Sequence, residues 1–463
     1  MVKGKKYNKC TELFIFEKIF NKMEYLITLL YTIVFIFILN NMSFFRAEGL
    51  SKKTLSVIFV IKILAGITMS LVYTYYYTDR YTADIFKYFD DSKVMYDALF
   101  KKPLDYLSMM TSIGNDSSYF NEHYYKLMNN WYRVYESNIY NESHTIIRFN
   151  ALIRIFSFGY YNVHTVFVCF LSLAGLVAIY KTVTSFIKNK NKEIIFGIFL
   201  LPSVLFWGSG VIKEGLLFFG LGILIYHFFR ITKKFNFVSF AWVFASAVLI
   251  YYTKFYVLAI VIPILIAHFW ITKTNEKYIF LKYLTVFILY IFAGLQIHHV
   301  FPGFDALDIL VTKQRDFIGL AKFTKAGSLI DIPLLTPDIW SFIKYAPQAF
   351  FITLFRPFIF EADSLLILMA AMENILILVI LILTLIFANF RQVNKSIFYI
   401  CLFAVLCMFI LTGLITPVTG AMVRYKVPAL PFLMILLVML IDREKMIKKI
   451  PFLKFLVTTQ PPY

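Results

Sequence analysis

Carboxylates and basic side chains stand at the edges of apolar runs in several separate parts of this 463-residue chain. One set follows the second long apolar run, in "YYYTDRYTADIFKYFDDSKVMYDALF" (75–100). Read as a helix over 83–100, it sets Ile85, Phe89, Tyr96 and Leu99 on one stripe. Asp84, Tyr88 and Asp91 fall on a neighbouring stripe, because seven residues make nearly two turns. Carboxylates sharing a face just above a membrane can act as general base toward a hydroxyl, or help to hold a divalent cation. Charge pattern alone favours a plainer role, since an interfacial amphipathic helix needs a polar face and Asp supplies one. Asp90 is a weaker candidate of the same kind.

A further set lies in "LPSVLFWGSGVIKEG" (201–215), where Lys213 and Glu214 adjoin inside apolar surroundings. Charges at membrane depth are costly unless paired or set in a wet cavity, so they mark a site by default. Pro202 frees a backbone carbonyl and favours a cavity lining. Lys213 could bind a phosphate oxygen with Glu214 fixing its direction; alternatively, Lys213 snorkels and Glu214 simply opens a helix near its positive end. "LFRPFIFEADS" (354–364) adds Arg356 and Glu361, and "TPVTGAMVRYKVPALP" (416–431) adds Arg424 and Lys426. Arg suits bidentate phosphate contact, so a lipid phosphate or diphosphate is the natural ligand; pairing with anionic headgroups is the simpler alternative. "IIRFNALIRIF" (146–156) contributes Arg148. No residues are singled out as metal ligands.

The elements that must position these groups are membrane helices. The chain is 60% hydrophobic and only 16% charged, far from soluble composition. Apolar runs long enough to cross hydrocarbon fall near 24–41, 54–77, 163–183, 193–208, 213–229, 236–252, 254–272, 279–297, 364–389, 397–414 and 425–442. An all-α polytopic bundle of about eleven spans is expected, with 193–229 and 236–272 able to form hairpins. The net charge of +19 comes from short basic loops, which argues for the positive-inside rule and against nucleic acid. That rule puts the C-terminus inside and the long segments 78–162 and 298–363 outside. Residues 1–53 then form an N-terminal amphipathic segment (11–23) with the first span, 54–442 the core, and 443–463 a basic cytoplasmic tail. Cys10, Cys169, Cys401 and Cys407 show no paired spacing and read as thiols. Lys62 sits mid-span and needs a partner or a route to water.

This arrangement resembles the GT-C class of membrane glycosyltransferases, with "ADIFKYFDDSK" similar to that class's Asp motif. "LPSVLFWGSGVIKEG", "LFRPFIFEA" and "VRYKVPALPF" are similar to segments of bacterial membrane proteins encoded with surface-polysaccharide genes. The resemblance implies a GT-C-like fold with a long external juxtamembrane helical loop, in a bacterial plasma (inner) membrane. It puts Asp84, or else Asp90 or Asp91, in the catalytic position, with Lys213, Glu214, Arg356, Glu361, Arg424 and Arg148 toward substrate. A polyprenyl-phosphate-linked sugar would be the donor, a glycan or lipid the acceptor, and a divalent cation a conceivable cofactor. The alternatives are a polysaccharide polymerase or ligase acting on lipid-linked oligosaccharides, and a flippase for lipid-linked sugars.

Overall fold

The computed structural model describes residues 3–133, 140–301 and 303–456. Among them the chain is all-helical, with no strand beyond three isolated bridges. Many helices start where a short polar side chain meets an apolar run and accepts a backbone N–H. Ser51, Asn236, Ser364 and Asn394 each do this. Nine helices among the described residues are long and apolar enough to cross a membrane. Leu26, Leu29, Ile33 and Phe37 on Lys22–Asn41, and Ile288, Leu289 and Phe292 on Ile279–Val300, stay exposed. Such apolar faces are unfavourable in water and suit lipid. The amphipathic character expected of 11–23 rests largely on side chains outside the described residues, as does Cys10. Residues 457–463 of the basic tail lie outside them too.

The nine helices and the eleven expected runs differ in two places. The run 193–208 is interrupted: Asn191–Ile195 passes into a wide turn, the backbone is extended at Leu201, and Pro202–Trp207 starts afresh. Pro202 therefore opens a helix instead of bending one, because its missing N–H is tolerated at a first position. The runs 236–252 and 254–272 are joined as Phe237–Lys273, with a non-helical backbone only at Lys254 (φ −153°, ψ 85°). That residue reverses the chain. His227, near the end of Lys213–Lys233, meets Ser239 at 3.2 Å, and its neighbour Phe229 meets the His268 ring at 4.5 Å. At the other end of that same helix, Lys254 reaches Glu214. Both arms thus lie along Lys213–Lys233, and Lys254 is the apex of a helical hairpin.

Helix Tyr161–Thr184 packs on Lys213–Lys233 through Gly175 and Gly222. A Cβ on either would fall within the backbone of the other helix, so only glycine permits this approach. The basic loops collect at one end of the bundle. Lys190 donates to the carbonyls of Val438 and Ile441, Arg443 to that of Asn189, and Lys188 pairs with Glu48. The opposite end is capped by residues 77–133 and 140–160, whose helices Asp84–Lys101 and Ser143–Ser157 enclose a second core of Tyr88, Met95, Trp131, Ile146 and Ile147. The segment 328–330 crosses beside it and pairs with 417–419, Ile330 N–H donating to Pro417 at 2.6 Å.

Candidate functional site

The capped end holds a buried ionic network built at helix termini. Asp84 and Glu214 each stand in the first turn of a helix, and Arg424 in the last turn of Thr419–Lys426. Each charge therefore suits the local helix dipole before any partner arrives. Packing brings them together. Arg424 donates Nε and Nη2 to the two oxygens of Glu214 at 2.6 and 3.0 Å, and Nη1 to Asp84 Oδ2 at 2.8 Å. Lys254, at the hairpin apex, lies 3.3 Å from Glu214 Oε1. Lys213 turns to Glu142 at 3.2 Å, with its amine 5.7 Å from the Tyr88 ring centre. The Arg424 guanidinium lies over Trp207 and the Lys254 amine over Tyr425 at 4.1 Å. Three acids and three bases from five regions of the chain thus form one ion-paired group, with Arg133 and Lys313 near enough to act on its acids.

Electrostatics follow from that packing. Burial raises the Asp84 pKa, but Arg424 and Lys213 outweigh it and hold the carboxyl at about 2. Glu142 is likewise pushed up by burial and held below the usual range by Lys213, Lys313 and Lys254. Both acids are ionised at neutral pH.

The carboxylate stripe of the surface helix turns inward. Of the expected apolar stripe, Ile85 and Phe89 are buried and Tyr96 and Leu99 half-buried. Tyr88, Asp91, Met95 and Ala98 are buried beside them, so the packing face is wider than that stripe and takes in the carboxylate Asp91. Asp91 accepts the backbone N–H groups of Asn129 and Asn130 at 2.7 and 2.8 Å and ties down a loop. Asp90 is exposed and takes both bonds of Arg80. Arg148 donates to the Met109 carbonyl and reaches Tyr140, holding the cap together. Arg356 pairs with Glu361 at 3.1 Å, and Glu361 also accepts the Phe358 N–H, which makes a local clamp at the turn. The structure therefore joins Asp84, Lys213, Glu214 and Arg424 in one place. It gives Asp90, Asp91, Arg148, Arg356 and Glu361 partners elsewhere.

Two buried lysines outside the network have carbonyl partners. Lys62 donates to Gly208 at 3.1 Å and so holds the turn before Lys213. Lys426 donates to the carbonyls of Thr353 and Arg356 and to Asn374 Oδ1. The members missed by sequence reasoning are Glu142 and Lys254. For Lys254 a signal existed: a lone Lys between two span-length apolar runs.

A cavity of about 340 Å³ adjoins the network. Trp207, beneath Arg424, forms one wall, and Tyr73, Phe206 and Ser203 continue it. Leu366, Met369 and Ala370 form an apolar side, with Asp363 and Ser364 also lining it. Its size falls within the range of about 300–1,000 Å³ usual for small-ligand pockets. Among the described residues, no group of three His, Cys, Asp or Glu could hold a metal ion.

Fold and site together define an all-helical chain suited to a membrane, with a buried ionic network and a cavity beside it at the end away from its basic loops. Comparison with family models, with curated proteins and with solved structures gives no match.

Proposed function

We propose that the chain is a membrane glycosyltransferase of GT-C-like kind. It takes a sugar from a polyprenyl-phosphate donor at the external face of a bacterial plasma membrane and passes it to a hydroxyl of a glycan or lipid acceptor. The observation that carries this reading is the Asp84–Arg424–Glu214–Lys254 network beside a cavity with aromatic walls and an apolar side. An acid, a bidentate cation and a mixed polar and apolar hollow are what a sugar on a lipid phosphate requires. The apolar side takes isoprenoid chain, the rings of Trp207 and Tyr73 take the sugar, and Arg424 takes the phosphate.

In this mechanism the Asp84 carboxylate accepts the proton of the acceptor hydroxyl as that oxygen bonds to the anomeric carbon. The bond from that carbon to the phosphate oxygen breaks, and its electron pair stays on the oxygen. Arg424 stabilises the charge that develops there, the kind of contribution that usually dominates such catalysis. Glu214 and Lys254 keep the guanidinium aimed. The divalent cation allowed by the resemblance takes no part in these steps.

The test is transfer of labelled sugar from a polyprenyl-phosphate donor in proteoliposomes. Wild type should transfer and Asp84→Asn should not, while still inserting and showing a cooperative melting transition. Unchanged transfer by Asp84→Asn discards the assignment. A single added sugar supports the transferase, whereas a ladder of products moves the reading to a polymerase or ligase.

A further inference from the structure

Arg424 is held unequally by its two carboxylates. Glu214 takes a bidentate grip, is almost fully buried, and is itself fixed by Lys254. Asp84 takes a single bond, and its side chain remains 34% exposed. Bidentate charge-assisted pairs are the stronger and more directional kind. Both acids stand in the first turn of a helix after an extended residue without a side-chain cap, so burial and the Lys254 partner are what hold Glu214 more firmly than Asp84.

The occupancy of Arg424 makes this inequality matter. Its Nε, Nη1 and Nη2 each already donate to a carboxylate oxygen. An arriving phosphate therefore competes with one of those acids for Arg424. We infer that the phosphate of a lipid displaces Asp84 and not Glu214, so that ligand binding itself releases the base. This rests on the phosphate-lipid reading of the site. The groups facing Asp84 are Arg424, Lys213, Arg133, Tyr73 and Tyr425. While Arg424 is bonded to it, Asp84 is too weakly basic to take a proton, its pKa standing at about 2. Once the guanidinium turns to phosphate, the carboxyl returns toward an ordinary value of about 4 or above. An empty site therefore holds an inactive base, which the phosphate of the arriving lipid makes active.

The experiment measures the affinity of farnesyl phosphate for purified protein in nanodiscs, with farnesol as the uncharged control and inorganic phosphate as the head group alone. Asp84→Asn and Asp84→Ser remove the competitor. Both should bind farnesyl phosphate more tightly than wild type by about tenfold, the worth of one charge-assisted hydrogen bond. Farnesol affinity should not change. Inorganic phosphate should show the same ratio if the head group alone displaces Asp84. A ratio seen only with farnesyl phosphate assigns the displacement to the anchored lipid. Either variant, shown folded by its melting transition, that binds farnesyl phosphate no tighter than wild type overturns the inference. The readout needs no sugar transfer. A chain that never transfers sugar can still show the tightening, and a working transferase without it keeps its function and loses this device.

Discussion

Replacing Glu214 by Gln should destabilise the protein strongly, and a second substitution at Lys254 should then cost less than it does alone. Glu214 is 1% exposed, Lys254 3% and Arg424 15%, so water screens this cluster little. Asp84 and Glu214 supply two negative charges against two positive ones on Arg424 and Lys254. Glu214→Gln keeps the side-chain volume but leaves one buried positive charge uncompensated. Breaking a buried pair from one side costs about 3–5 kcal/mol. Lys254→Met added to it restores the balance, and its thioether can pack on the Tyr425 ring that the Lys254 amine now faces. The double variant should lie about 2 kcal/mol above the sum of the single effects, within the range for residues in direct contact. Reversible unfolding in mixed micelles, read by intrinsic fluorescence, gives the four stabilities of the cycle. Additive effects, or a cost of less than about 1 kcal/mol for Glu214→Gln, would refute the reasoning.

Three further expectations concern the parts that hold the site in place. Asp91→Ala leaves two backbone N–H groups without their acceptor. It should cost about 1–3 kcal/mol in the same unfolding assay, with farnesyl phosphate affinity unchanged. Gly222→Ala puts a Cβ into the Gly175 backbone and should lower the yield of folded protein, read as monodisperse material on size exclusion. His144 is stacked on Trp131 at 3.8 Å, and burial lowers its pKa to about 4. The unfolded chain then binds the extra proton first, so stability is full above about 6.5 and falls as pH drops toward 4. His144→Phe should flatten melting temperature across that window. The Asp84 contact responds lower, from about 4 down to 2.

The helical class and most of the spans were legible because hydrocarbon thickness imposes a length on every apolar run. Phe237–Lys273 shows the limit of that rule. Both arms were visible as runs, but only packing on Lys213–Lys233 shows that Lys254 lies beside Glu214. Asp84, Glu214 and Arg424 stood out because charges at membrane edges are conspicuous, and their helix-end positions made sense locally. Their pairing was not legible, since it joins residues 340 and 210 apart in the chain. Asp91 misled for a related reason: helical phase puts it near Asp84, yet two N–H groups of a distant loop claim its carboxylate. Arg356 and Glu361 were close enough in sequence to satisfy each other. Lys62 could not be matched to a partner because that partner is a backbone carbonyl, which sequence does not mark.

Photolabelling tests the central claim most directly. A farnesyl phosphate analogue with a photoreactive group near its phosphate, irradiated with the protein in nanodiscs, should label peptides carrying 202–207, 363–370 and 420–424. Arg424→Gln should abolish that labelling, and excess unlabelled farnesyl phosphate should compete it away. Labelling spread over the lipid-facing helices and indifferent to Arg424→Gln would contradict a phosphate-lipid site at this end of the bundle.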